Sequence, residues 1–142
     1  ATIVDPQDST RSKTYQLVKS DSTMSVTPYN GAVAWWADQA TYLVTTASTN
    51  RGRPAGVFLM AVTPGNYCCI QIKGMGTVKF VDAPTASPTI AGLIVVPSAT
   101  AGKADCLAAG TAATYPSLGR TAGAYNGAEA TGRVDLDVPE VY

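Results

Sequence analysis

Two cysteines stand side by side in the run NYCCIQIKGMGTVKF, from Asn66 to Phe80, and a third thiol follows at Cys106. Thiols can bind a metal or exchange disulfides, so their placement decides whether chemistry is on offer. In an extended chain, neighbouring side chains point to opposite faces. Cys68 then shares a face with Ile70 and Ile72, and Cys69 lies with Tyr67 and Gln71. Adjacent strand cysteines cannot easily chelate one ion, and a disulfide between them would distort the intervening peptide. Zinc sites want ligands a few residues apart and a second pair of donors. Here the chain offers only Cys106 and no histidine. The expectation is a buried, structural cysteine pair in a wall of sheet, with no metal and no cofactor.

The missing imidazole also removes the usual base for a serine or cysteine nucleophile. Neither G-x-S-x-G nor S-x-x-K occurs. Paired carboxylates could perform glycosidase-like acid–base work. Asp135 and Asp137 would share one face of a terminal strand with Leu136 opposed, which reads as the solvated side of an amphipathic strand. Asp82 and Asp105 are similarly ordinary. Gly102-Lys103 resembles a phosphate-binding loop, but that motif needs glycine where Pro97 stands and serine or threonine where Ala104 stands. The segment reads as a loop between strands, and the chain is not read as an enzyme.

Contact is the remaining candidate. Ten lysines and arginines balance ten acids, so the formal net charge is zero. Only Arg51 and Arg53 cluster, too thin a footprint for nucleic acid or an anionic membrane but enough for ion pairs with an acidic protein. Charged residues make up 14% of the chain, against about a quarter in an average globular protein. That balance leaves neutral surface for a partner to cover. Trp35-Trp36 is a candidate contact pair, because tryptophan is enriched where interfaces carry their energy; core packing is the competing account.

These residues must be positioned by few elements. At 142 residues the chain suits one domain. Residues 1–25 are polar and rich in serine and threonine, with scattered Ile3, Val4, Tyr15, Leu17 and Val18. They read as an N-terminal arm ordered only against something else, or as a disordered tail. A leading segment folded into the chain's own interior would contradict that reading. Residues 26–142 read as the domain. Pro28 and Asn30-Gly31 mark a turn, Ala32–Tyr42 suits a short helix, and Thr41–Thr46 suits a strand. From Gly56 onward, GVFLMAV, YCCIQIK, TVKFVDA, GLIVVPS and RVDLDV are short strand-like runs divided by Gly/Pro turns, the pattern of an all-β sandwich or barrel. Gly74-Met75-Gly76 is expected to close a hairpin, and Asn126-Gly127 a second one. The start ATIVDPQDSTRSK shows no secretion signal, and no run approaches a membrane helix. Three cysteines without framework spacing would stay reduced in a cytoplasm.

The stretch from Gly76 to Val138 resembles the small capsid decoration, or cement, proteins of tailed bacteriophages. GTVKFVDA, AGLIVVPSATAGKA, LGRTAGAY and GRVDLDV carry the likeness in that order. The matching residues are Gly92, Val95, Val96, Pro97, Ser98, Ala101, Gly102, Lys103, Gly119, Arg120, Gly132, Val134 and Leu136. The resemblance implies a small β-barrel or β-tulip-like domain without catalytic activity or cofactor. It implies a homo-oligomer, a trimer, on the outer capsid surface of the virion, assembled in the host's bacterial cytoplasm. It also implies that major capsid proteins are the partners and that an N-terminal arm reaches across the shell. Residues 1–55 carry no part of the likeness. The interface candidates, read from residue types alone, are Ile3, Val4, Arg11, Tyr15, Leu17, Trp35, Trp36, Arg51 and Arg53. Two rivals stand beside this reading. A carbohydrate- or receptor-binding β-module, a head fibre or adhesin, would want an aromatic row, but Tyr67, Phe80, Tyr115 and Tyr125 are scattered. A carboxylate-dependent hydrolase lacks a promising acid pair.

Overall fold

The computed structural model describes residues 2–4, as backbone, and residues 12–139. These form ten strands: β1 (Thr2–Val4), β2 (Ser12–Ser20), β3 (Val33–Asp38), β4 (Leu43–Thr45), β5 (Pro54–Phe58), β6 (Tyr67–Lys79), β7 (Ala91–Pro97), β8 (Ala104–Cys106), β9 (Gly119–Asn126) and β10 (Thr131–Asp137). A 3-10 turn at Ser48–Asn50 is the one helical element among the described residues. The protein is all-β, as its alternating runs predict.

Strands β2, β4, β3, β5 and β6 follow one another around a ring that closes where β6 pairs with β2. The result is a closed five-stranded barrel with further strands attached. The β2–β4 contact is parallel and short, while the other pairings of the ring are antiparallel. Beyond Lys73, β6 leaves the barrel and pairs with β10, which continues through β9 and β7 to β8. A parallel bridge between Phe80 and Ala104 returns β8 to the end of β6, so this second sheet also rolls up. Strand β6 is therefore common to both lobes.

Three sequence expectations change here. Gly74-Met75-Gly76 is not a hairpin turn: β6 runs unbroken through it, and β10 pairs across it from Asp137↔Lys73 to Thr131↔Lys79. Gly74 supplies a bend instead. Its φ is +89°, and a Cβ there would lie 2.4 Å from the Ser12 carbonyl oxygen, so only glycine lets β2 come this close. The Gln71 side-chain amide holds the bend by donating to the carbonyls of Lys73 and Met75, each at 3.1 Å. Second, Ala32–Tyr42 is not helical. Val33–Asp38 is strand β3, because two tryptophans and Val33 gain more by filling a sheet covered on both sides than by helical packing.

Third, the barrel starts at Ser12. Residues 12–20, placed in the arm by their polarity, form a stave of the barrel paired with β6 from Thr14↔Lys73 to Lys19↔Tyr67. Their burial alternates, but the inward positions are Thr14, Gln16, Val18 and Ser20, three of them polar. Hydrophobicity thus hides the period that burial obeys. Ser20 shows how such a residue is accommodated: its hydroxyl donates to the Asn66 carbonyl at 2.9 Å and accepts from the Gly65 N–H at 3.0 Å. The alternative of an arm reaching across a neighbour does not apply to this segment.

One buried cluster runs through both lobes, from Trp35, Trp36, Phe58, Ile70 and Ile72 in the barrel to Phe80, Val95, Leu118, Val134 and Leu136 beyond it. The loop from Ser98 to Lys103, which failed as a phosphate loop, joins the lobes. The Gly102 carbonyl accepts from Val33 N–H at 2.8 Å, and the Gly102 N–H donates to Thr46 at 3.0 Å. Gly127–Ala130 link β9 to β10 as a four-residue loop, longer than the tight turn expected from Asn126-Gly127.

Candidate interaction face

The β2–β6 pair presents its outward residues to solvent. Leu17 lies directly opposite Cys69, and Lys19 opposite Tyr67. Directly opposed residues of an antiparallel pair stand with Cβ atoms roughly 5 Å apart, so these four form one patch. Leu17 is 63% exposed and Tyr67 71%. The Lys19 ammonium sits 5.6 Å from the centre of the Tyr67 ring, a cation–π contact at the rim. Met60, also 63% exposed, extends the patch from the loop that follows β5.

Between that loop and the start of β6 runs a groove of about 320 Å³, lined by residues 59–63 and 66–69. None of these side chains is charged. The loop is tied down at several points. Val62 N–H donates to the Pro28 carbonyl at 3.3 Å, Asn66 N–H to Thr63 at 3.1 Å, and Ser20 holds Gly65 and Asn66 as described. The groove wall is thus set by backbone bonds rather than by the exposed side chains themselves.

Backbone pairing is incomplete here. Strand β5 meets β6 only at Val57↔Gln71 and Phe58↔Ile70, and the chain then turns away at Leu59. Tyr67, Cys68 and Cys69 consequently carry β2 on one edge and, among the described residues, no strand on the other. An edge with no partner strand, beside exposed apolar side chains, is a template for another extended chain.

The cysteines divide between these surroundings. Cys68 is half-buried with Ile70 and Ile72 on the inward face, as alternation predicts. Burial, and then the neighbouring Cys69 thiol, pushes its pKa up to about 11. Cys69 is exposed, which corrects the expectation that both are buried. Its face has no covering layer at that point, whereas Gln71 on the same face is covered by the β6 bend. Cys106 is buried and donates its thiol to the Ala86 carbonyl at 3.2 Å. Its pKa is raised by burial and then by the Asp105 carboxylate. Among the described residues no group of three or more His, Cys, Asp or Glu is placed to hold a metal ion.

The interface candidates scatter. Leu17 belongs to the exposed patch, with half-buried Tyr15 two residues before it. Ile3 and Val4 lie on β1, opposite Lys13 and Ser12, where only backbone is described. Arg11 falls outside the described residues. Trp35 and Trp36 are 0% and 1% exposed, so neither is surface. Trp36 packs edge-on to Tyr42 with ring centres 6.3 Å apart, and its backbone is fastened to Arg53 and Asn50 in the adjoining loop. Core packing is their role, since both faces of β3 are covered. Arg51 is engaged inside the molecule, 4.5 Å above the Tyr115 ring, and Arg53 is exposed.

Met60, Tyr67 and Cys69 were not among those candidates. Alternation in YCCIQIK places Tyr67 and Cys69 on one face, but it does not tell which face remains uncovered. Asp135 and Asp137 are exposed on β10, alternating with buried Gly132, Val134 and Leu136. Asp137 pairs with Lys73 at 3.4 Å, consistent with a solvated strand face. No protein-family model and no curated protein matches this chain.

Proposed function

We propose that this chain is a structural virion protein that docks on the outer surface of a phage capsid and stabilises contacts between major capsid proteins. It acts by contact, as a homo-oligomer, a trimer, without turning over a substrate. The observation that carries the reading is the exposed Leu17–Cys69–Tyr67–Met60 patch on the β2–β6 wall and the loop beside it. Exposed apolar side chains gathered beside an unpaired strand edge favour a partner that covers them. The resemblance of Gly76–Val138 to capsid decoration proteins supplies the class of partner. The grip is assigned to this wall rather than to an arm, because residues 12–20 are built into the barrel. A lattice compensates for modest contacts: once one subunit of an oligomer is docked, the others bind at high effective concentration.

Co-sedimentation of the purified chain with undecorated phage shells, compact and expanded, tests this reading. Saturable uptake that falls at least about tenfold in Leu17→Glu is the expected result, equivalent to roughly 1.4 kcal/mol of binding. Absence of uptake on every shell would remove the capsid assignment.

A further inference from the structure

The unpaired edge and the groove beside it restrict what can dock there. We infer that Tyr67–Cys69 accept an extended segment of the partner protein, which adds to the free edge of β6 and inserts one apolar side chain, flanked by a carboxylate, between Met60 and Tyr67. The inference rests on the capsid reading only for the identity of the partner; the site stands on its own geometry.

Three observations select this occupant. The first is the backbone. Strand β5 abandons β6 after Phe58↔Ile70, leaving three consecutive residues with a partner strand on one side only among the described residues. Main-chain addition supplies affinity in such a place, and alternate side chains supply selectivity. The second is size. The largest exposed patch on an ordinary monomer covers about 300–600 Å², while each partner in a stable globular interface buries roughly 800 Å². The patch here is built on four side chains, Leu17, Met60, Tyr67 and Cys69, against roughly 20–30 residues a side in a standard interface, so it suits a segment better than a whole domain or a second copy.

The third is charge. The groove lining contains no charged side chain. At its rim the Lys19 ammonium stands over Tyr67. The nearest acid in sequence, Asp21, uses its Oδ1 to accept from the Thr23 N–H at 2.9 Å and from the Thr23 hydroxyl at 2.8 Å. A carboxylate arriving beside Tyr67 therefore meets a cation, whereas an incoming lysine meets like charge next to an apolar wall. The fixed loop from Leu59 to Asn66 means that the groove exists before the segment arrives, which limits the ordering cost to the guest.

Short synthetic peptides provide the probe. Each carries one leucine in a serine–threonine background, flanked by aspartate, asparagine or lysine, and is titrated into the full-length ¹⁵N-labelled protein. The aspartate peptide should shift the amide resonances of residues 59–69 and bind at least about tenfold more tightly than the lysine peptide. Lys19→Glu should abolish or invert that preference. Met60→Glu combined with Tyr67→Ser should eliminate the shifts while leaving the resonances of β7–β10 in place.

Shifts confined to other residues, or absent with all three peptides, would overturn the proposal. Equal response to aspartate and lysine would overturn it as well. So would the same shifts on concentrating the protein without peptide, which would make a second copy the occupant. Shell co-sedimentation separates the two readings. Peptide shifts without shell uptake retain the site and discard the capsid partner; shell uptake without peptide shifts does the reverse.

Discussion

Two pairs of adjacent residues, Trp35-Trp36 on β3 and Cys68-Cys69 on β6, behave in opposite ways. Both tryptophans are buried, although strand neighbours point to opposite faces. That requires cover on both sides of β3, and on the Trp36 side the Tyr42 ring packs edge-on to the indole. At the start of β6 only the inward face is covered: Cys68 is half-buried and Cys69 exposed. The difference does not lie in the alternation, which is the same for both strands. It lies in whether a loop happens to cross the outer face, and that separates a structural pair from a surface available to a partner.

Breaking the covered pair should have the largest effect. Trp36→Ala removes a ring from a filled site and should cost about 3–5 kcal/mol, a substantial part of the stability of an ordinary domain. Urea denaturation measures it, and a loss under about 1 kcal/mol would mean that the outer side of β3 is loosely filled. Gly74→Ala comes next. The added methyl would meet the Ser12 carbonyl at 2.4 Å in a backbone conformation that alanine disfavours, for an expected loss of about 1–3 kcal/mol. Faster amide hydrogen exchange along β2 should accompany it, because the bend and the β2–β6 register depend on one another.

A smaller effect should appear with pH. The Cys68 thiol has its pKa raised from 9.0 to about 11 by burial and by Cys69. The unfolded chain therefore loses this proton first. The contribution from this group is complete below about pH 9 and declines as pH rises toward 11. A Cys68→Ala variant should show a flatter fall across that window, measured by urea midpoints at fixed ionic strength. The same contrast should appear in labelling: at pH 8 a maleimide should modify Cys69 in the folded protein well before Cys68 or Cys106, and all three in urea. Prior modification of Cys68 would reverse the assignment of faces.

The smallest effect on stability is expected at the patch itself. Leu17→Glu alters an exposed side chain and should change unfolding free energy by no more than about 0.5 kcal/mol, even as it reduces shell uptake. A loss comparable to that of Trp36→Ala would show that Leu17 packs within the protein's own structure, and the docking surface would have to be sought elsewhere.

Much of the fold could be read from the residues. The runs GLIVVPS and RVDLDV, the loop Ser98–Lys103, the solvated face bearing Asp135 and Asp137, and the inward set Cys68, Ile70 and Ile72 appear where alternation and turn chemistry put them. Strand β2 was concealed because Thr14, Gln16 and Ser20 occupy inward positions normally held by apolar residues. The candidate face was only half legible. Leu17 was a candidate from its type, while Met60 and Cys69 gained significance from where β5 stops.

The sequence alone determined that this is a β-protein with zero formal net charge and no imidazole, because those properties depend on composition and on a two-residue period. Tertiary structure decided which strands closed the ring, that Gly74 bends β6 instead of ending it, and which sides of the strands remained open. Each of those outcomes depends on contacts between residues far apart in the chain, and a local pattern carries no information about what will lie across from it.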